Sequence, residues 1–163
     1  MGLPYRVGIG YDIHRLEDNR DLIIGGVKIP YEKGLMGHSD ADVLIHAIID
    51  ALLGAASLPD IGTIFPDTDD KYKNADSTIL LKEVCSLVKN KGFVIGNIDS
   101  NIIAQAPKMM PHIPEIKKKL ANIMTIPVDN ISVKAKTNEK MDAVGQKLAI
   151  ESNAVVIISR EGV

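Results

Sequence analysis

Val7-Gly-Ile-Gly-Tyr-Asp-Ile-His14 is the stretch on which the reading of this chain turns. It reads as part of a strand over residues 5–14, and successive side chains of a strand point to opposite faces. Asp12 and His14 therefore share a face and aim the same way. A second stretch, His38-Ser-Asp-Ala-Asp-Val-Leu-Ile-His46, runs into helical apolar spacing. Together Asp12, His14 and His46 offer a divalent transition metal two imidazoles and a carboxylate. Two nitrogens and one oxygen, with a fourth position open, suit a catalytic zinc site better than a closed structural one. The same residues also fit a surface Asp-x-His pair beside an unrelated helix histidine.

Outward from this strand, the pattern alternates short extended runs with helices. Leu22-Ile-Ile24 and Val27-Lys-Ile29 flank Gly25-Gly26, the signature of a tight hairpin. Residues 40–56 read as a buried helix carrying Val43, Ile45, Ala47, Ile48, Ala51 and Leu52. A second helix starts at Asp76-Ser77, carries Leu80, Val84, Leu87 and Val88, and stops at Gly92. A third covers 112–124, with Ile116, Leu120, Ile123 and Met124 on one face and Lys117-Lys-Lys119 largely solvated. Phe93–Gln105, Ile131–Thr137 and Leu148–Ile158 carry the β-branched enrichment of strands. Ala154-Val-Val-Ile-Ile158 is apolar at every position, so it predicts a strand buried on both faces. The order β-β-β-α-α-β-α-β-β predicts an α+β fold with α/β-type layering: one domain over 1–163, a mixed sheet with helices packed on one face. Leu58 to Ala75 is long, polar and rich in turn formers, with Ile61, Ile64 and Phe65 interleaved, which favours a functional loop folding over something.

Composition narrows the function. A formal charge of −2 disfavours a nucleic-acid binder built on phosphate contacts. The single cysteine, Cys85, excludes an internal disulfide and is compatible with a reducing compartment. No run of about eighteen apolar residues predicts a membrane span, and the N-terminus lacks the pattern of a secretory signal.

Four further clusters carry chemistry. With a helical first turn, His38, Asp42 and His46 recur every four residues along one stripe. Asp42 then accepts from a histidine N–H and fixes its tautomer; alternatively, Ser39 caps the helix and Asp42 complements its positive end. Asp60-Ile-Gly62 and Phe65-Pro-Asp-Thr-Asp69 pair carboxylates with backbone amides, which suits sugar or polyol hydroxyls and equally suits plain turns. Ala104-Gln-Ala-Pro-Lys-Met-Met-Pro111 follows a strand and precedes a helix. Its amides suit a base edge and Lys108 a phosphate, though an ordinary connection would use the same prolines. In Lys134-Ala-Lys-Thr-Asn-Glu-Lys140, Thr137 and the lysines suit phosphate oxygens and Glu139 a hard cation, while a solvated charged loop has the same composition.

Gly-Tyr-Asp-Ile-His14, Gly-Gly-Val-Lys-Ile-Pro-Tyr-Glu-Lys-Gly-Leu35, His-Ser-Asp-Ala-Asp42, Asp-Ile-Gly62, Phe-Pro-Asp-Thr-Asp69, Ala-Gln-Ala-Pro-Lys108 and Thr-Asn-Glu-Lys140, in this order, resemble the 2-C-methyl-D-erythritol 2,4-cyclodiphosphate synthase family of the non-mevalonate isoprenoid pathway. The resemblance implies a homotrimer with sheets facing the trimer axis and active sites between subunits. It implies a reaction that turns a cytidine diphosphate ester carrying a 2-phosphate into the cyclic 2,4-diphosphate and CMP. Carried over by position, Asp12, His14 and His46 bind one zinc per site, and Glu139 belongs to a magnesium or manganese site on the diphosphate. His38 and Thr137 stabilise the transition state, with Lys136 adding positive charge, and Ser39 helps to hold the substrate. Asp60, Ile61 and Gly62 contact the ribose region, and Phe65, Pro66, Asp67, Thr68 and Asp69 face the methylerythritol moiety. Ala104, Gln105, Ala106, Pro107, Lys108, Met109 and Met110 embrace cytosine. No nucleic-acid or membrane partner is implied. The expected location is the bacterial cytoplasm, or an organelle stroma or lumen after removal of a transit peptide. The chain departs from the commonest pattern at Asp142-Ala-Val-Gly-Gln-Lys-Leu148, where many members place Gly-Phe, Gly-Arg and a glutamate. In those members the arginine lines an axial cavity that holds an isoprenoid diphosphate; Gln146 lacks that charge and Ala143 the aromatic contact.

Overall fold

The computed structural model describes residues 2–162. Strand β1 (Tyr5–Asp18) leads into the hairpin of β2 (Leu22–Ile24) and β3 (Val27–Ile29), then β4 (Lys33–Leu35). Helix α1 (Val43–Ala55), the single turn α2 (Ile61–Ile64) and helix α3 (Ser77–Asn90) follow. Strand β5 (Phe93–Ile103), helix α4 (Ile113–Met124), strand β6 (Ile131–Lys136), the turn α5 (Asp142–Gly145) and strand β7 (Ala149–Arg160) complete the order. The main sheet runs β4-β1-β7-β5-β6; β5 and β6 are parallel and the other neighbours antiparallel. Helix α1 packs on β1 and β7, α3 on β5, and α4 on β6. The expected mixed sheet with helices packed against it is therefore the architecture found.

Two glycines set the distance between α1 and the sheet. A Cβ on Gly8 would lie 1.8 Å from the Ala51 carbonyl oxygen, and one on Gly10 would lie 1.8 Å from that of Ala47. Helix backbone thus rests directly on strand backbone, which only glycine allows. Between Val43 and Leu53, only His46 and Asp50 are not fully buried, so α1 is a central helix covered on all sides. Because His46 precedes Ala47, the contact that seats Ala47 on Gly10 also brings His46 up to Asp12.

Three expectations need correction. Residues 38–42 are not helical, because α1 begins at Val43. His38 and Asp42 therefore do not share a helical stripe with His46. Asp42, not Ser39, is the cap, and its carboxylate touches no histidine. It accepts from Ile45 N at 3.0 Å, Gly25 N at 2.9 Å and Gly26 N at 2.7 Å. The hairpin turn, left-handed at Gly25 and Gly26 (φ +61° and +74°), presents both amides to it. Burial, then the charge of Asp40, push the Asp42 carboxyl up to about 6 against the pull of these donors. Finally, Ala154, Val156 and Ile158 are buried but Val155 is 46% exposed, because helices cover only one face of the sheet. Strand β4 goes beyond the expected elements; three residues are too few to show a period.

Candidate active site

Strand β1 places Asp12 and His14 on the face toward α1, and α1 supplies His46 from its first turn. Asp12 Oδ2 lies 2.9 Å from His14 Nε2 and 3.0 Å from His46 Nδ1, and the two ring nitrogens are 3.4 Å apart. The rings meet edge to face, with centroids 5.4 Å apart. Ligand atoms held about 2.0–2.1 Å from a tetrahedral ion lie about 3.3 Å from one another, so this donor set fits zinc without rearrangement. His14 Nδ1 is 2.8 Å from the Met36 carbonyl oxygen. A carbonyl only accepts, so Nδ1 carries the hydrogen and the Nε2 lone pair faces the cluster.

The electrostatics are those of a cation site. Burial raises the Asp12 carboxyl, but with a proton on the facing ring nitrogens the hydrogen bonds from His14 and His46 outweigh it and hold Asp12 below the usual range. Burial lowers His14, yet Asp12 outweighs that, the Met36 carbonyl and Asp67 add to it, and the ring is raised. Three lone-pair atoms crowd together here, and either a proton or a metal ion must sit between them.

The cluster opens into a cleft of about 230 Å³. Asp12, His14, His38, Ser39 and His46 line one side, and Ile61, Gly62, Phe65, Asp67 and Tyr72 the other. The polar stretch from Leu58 to Ala75 is thus the far wall, as its interleaved apolar residues foretold. Phe65 is buried edge to face against Tyr72, with centroids 5.2 Å apart. Asp60 caps α2 by accepting from Thr63 N at 2.9 Å, and Asp69 caps the following turn by accepting from Lys71 N at 3.0 Å. Their turn chemistry is present, both residues are exposed, and neither is among those lining the cleft. His38 Nε2 is buried with no hydrogen-bond partner among the described residues, an uncommon state for a ring nitrogen.

The remaining candidates form a second cluster. Ala104 N donates to the Lys136 carbonyl at 2.9 Å, and Lys140 N donates to Gln105 Oε1 at 3.1 Å, tying residues 104–110 to residues 136–140. Within it, the Ala106–Pro107 peptide is cis, and Thr137 Oγ1 donates to Glu139 Oε1 at 3.4 Å. None of Ala104–Met110, Lys136, Thr137 or Glu139 lines the cleft. Ile13, Glu151, Ile103 and Lys136 stand in one row across β1, β7, β5 and β6. Three strand spacings, about 14 Å, therefore separate the two clusters at the same end of the sheet.

Spacing gave no sign of Ser77 or Asp40. Ser77 Oγ is 3.0 Å from His46 Nε2 and donates to Asp40. These contacts join residues more than thirty positions apart, and Asp76-Ser77 shows in the sequence only as a helix start.

The model of the YgbB family matches residues 5–159. The 2-C-methyl-D-erythritol 2,4-cyclodiphosphate synthase of Clostridium acetobutylicum is 57% identical over 153 residues, covering 94% of this chain and 99% of that one. Among solved structures, the bifunctional IspDF of Campylobacter jejuni matches with a TM-score of 0.92 at 40% identity. That likeness covers 96% of this chain and 42% of the longer one. IspF of Plasmodium falciparum in complex with CDP matches with a TM-score of 0.86 at 37% identity, over 99% of this chain and 100% of that one. With a fold and a sequence that agree along nearly its whole length, the chain belongs to the YgbB family, alongside the 2-C-methyl-D-erythritol 2,4-cyclodiphosphate synthases.

Proposed function

We infer that this chain converts 4-diphosphocytidyl-2-C-methyl-D-erythritol 2-phosphate to 2-C-methyl-D-erythritol 2,4-cyclodiphosphate and CMP, as a phosphorus–oxygen lyase of the non-mevalonate isoprenoid pathway. The observation that carries the reading is the convergence of Asp12, His14 and His46 on one point at the mouth of a cleft, in a chain of this family. The substrate's own 2-phosphate attacks its β-phosphate, so no serine, cysteine or general base has to make a nucleophile. The protein must fold a flexible anionic chain back on itself and offset the repulsion between phosphates. Positioning and electrostatic stabilisation do this work.

Asp12, His14 and His46 would hold zinc, which when bound supplies Lewis-acid charge to phosphate oxygens. His38, which lines the cleft and whose Nε2 has no partner among the described residues, takes a phosphoryl oxygen, and Ser39 anchors the same group. Asp60, Ile61 and Gly62 receive the ribose, and residues 65–69 close over the methylerythritol. The loop from Ala104 to Met110 receives cytosine through its amides. Lys136 and Thr137 meet the diphosphate, and Glu139 would hold magnesium or manganese there, which when bound offsets phosphate charge.

One chain does not bring these two groups together, since about 14 Å of sheet lies between them. A homotrimer with sheets turned inward joins the cleft of one subunit to the second cluster of the next. The bare sheet face supports this: Val7 is 68% and Ile9 76% exposed, beside exposed Tyr5, Tyr11, Ile13 and Val155. Such a stripe marks an interaction surface.

The test is turnover. Purified protein with zinc, magnesium and the cytidyl substrate gives CMP and cyclic diphosphate in equal amounts, with no oxygen-18 taken from labelled water. Label in the product phosphate would mean a zinc hydrolase instead.

A further inference from the structure

Asp40, Ser77 and His46 form a hydrogen-bonded chain from the loop before α1, through the first residue of α3, to the edge of the Asp12 cluster. Ser77 is completely buried. Its backbone N–H donates to Asp40 Oδ2 at 3.0 Å and its hydroxyl to Asp40 Oδ1 at 2.5 Å. Asp40 is itself pinned, since its N–H donates to the Ala75 carbonyl at 3.1 Å and its Oδ1 also accepts from Asp42 N at 3.1 Å. A carboxylate facing three donors only accepts. A serine hydroxyl owns one hydrogen, and Asp40 takes it. Toward His46 Nε2, 3.0 Å away, Ser77 Oγ can therefore only accept. The hydrogen in that contact belongs to the ring.

We propose that Asp40 and Ser77 are positioning residues that hold His46 as its Nε2–H tautomer, so that Nδ1, 3.0 Å from Asp12 Oδ2, is the lone pair offered to the metal. This rests on reading the Asp12–His14–His46 cluster as the cation site. It makes the two imidazoles equivalent in logic, although they differ in acceptor. The Met36 carbonyl fixes His14 from its Nδ1 side, and the Asp40–Ser77 pair fixes His46 from its Nε2 side. Charge on Asp40, passed through the serine, also makes His46 a better ligand. A second consequence concerns Ser39, whose Oγ accepts from Ala41 N at 3.2 Å and lies 3.3 Å from His46 Nε2. Because Nε2 is a donor, the Ser39 hydroxyl has no acceptor there and its hydrogen is left for the cleft. The chain thus sets the metal ligand and releases a substrate donor together.

The test uses the full-length protein and zinc alone, by competition with a chromogenic chelator, together with nitrogen-15 spectra of histidine-labelled, zinc-loaded protein. The spectra are expected to show His46 protonated on Nε2 and metal-bound through Nδ1. S77A is expected to bind zinc about 10–100-fold more weakly, and S77T, which keeps the hydroxyl, within about threefold of the parent. D40N is expected to weaken binding in the same range, and the S77A/D40N double variant to be no weaker than the worse single, because the two links act as one. Zinc on Nε2 of His46, or S77A binding within about threefold of the parent, overturns the proposal. The spectra decide the matter even if a variant does not fold. A parent chain that binds no zinc would remove the cation reading, whereas zinc bound equally by parent and S77A removes only the positioning role.

Discussion

His14 shows how a single side chain of the candidate cation site is oriented by its neighbours alone. Its Nδ1–H is committed to the Met36 carbonyl, and its Nε2 meets Asp12 at 2.9 Å. Protons and metal ions compete for that nitrogen, and the raised pKa of His14 states how well the proton competes. Asp12 is held low, so it stays a carboxylate across the neutral range and adds no slope. The sign follows: His14 must lose a proton to bind, and it begins to gain that proton above the ordinary imidazole value of about 6.5. Zinc affinity measured by chelator competition should therefore fall as pH drops from 8 to 6, approaching about tenfold per unit once one proton is displaced. A flat profile over that range would mean that His14 is not a ligand. Asp42 teaches the opposite lesson at this scale. Its place between two histidines in the sequence suggested a role toward them, but three backbone amides, two of them from a distant hairpin, claim it first.

Between elements, the decisive contact is α1 on β1. Gly10→Ala would set a methyl 1.8 Å from the Ala47 carbonyl oxygen, and backbone on both sides leaves no flexible end to yield. Overpacking of this kind costs about 1–3 kcal/mol or more. At about 2–4 °C per kcal/mol, the melting temperature should fall by several degrees. Zinc binding should weaken in parallel, because His46 moves away with α1. Gly54→Ala serves as the control: no atom lies within 4 Å of its Cβ position, so a helical alanine there should be neutral or stabilising by about 0.5–1 kcal/mol. Equal melting of parent and Gly10→Ala would refute the close-approach account. Helices and long strands were legible because each spans several periods, and α3 and α4 fall within a few residues of their expected limits. Asp12, His14 and His46 were legible for a related reason, since alternation along a strand and spacing into a helix are local signals. The direction each sheet face looks was not. Alternation in β1 separates Val7, Ile9 and Ile13 from Gly8, Gly10 and Asp12, yet it is the glycine face that receives the helix. Ser77 and Asp40 were illegible for the same reason, because their partners come from tertiary packing.

At the scale of the whole molecule, the separation of the two clusters becomes a statement about assembly. An apolar stripe through Val7, Ile9 and Ile13 lies bare on the face opposite the helices, while the cleft and the 104–110 loop share one end of the sheet. If the working site joins the cleft of one subunit to the loop cluster of its neighbour, damage to the two halves need not fall on the same site. On the proposed roles, His46→Ala would remove a metal ligand and Thr137→Ala a phosphate contact from the other cluster, so each homogeneous protein should be nearly inactive. In such an assembly, the two variants unfolded together in equal amounts and reassembled would form mixed rings. A site is intact only where the cleft comes from the Thr137→Ala chain and the loop cluster from the His46→Ala chain. Random assembly makes that combination about one in four, so the mixture should recover about a quarter of parental activity. Sites contained within one chain would recover none. A mixture as inactive as its components, with mixed trimers verified by mass, would therefore return both clusters to a single subunit and leave the bare face needing another explanation.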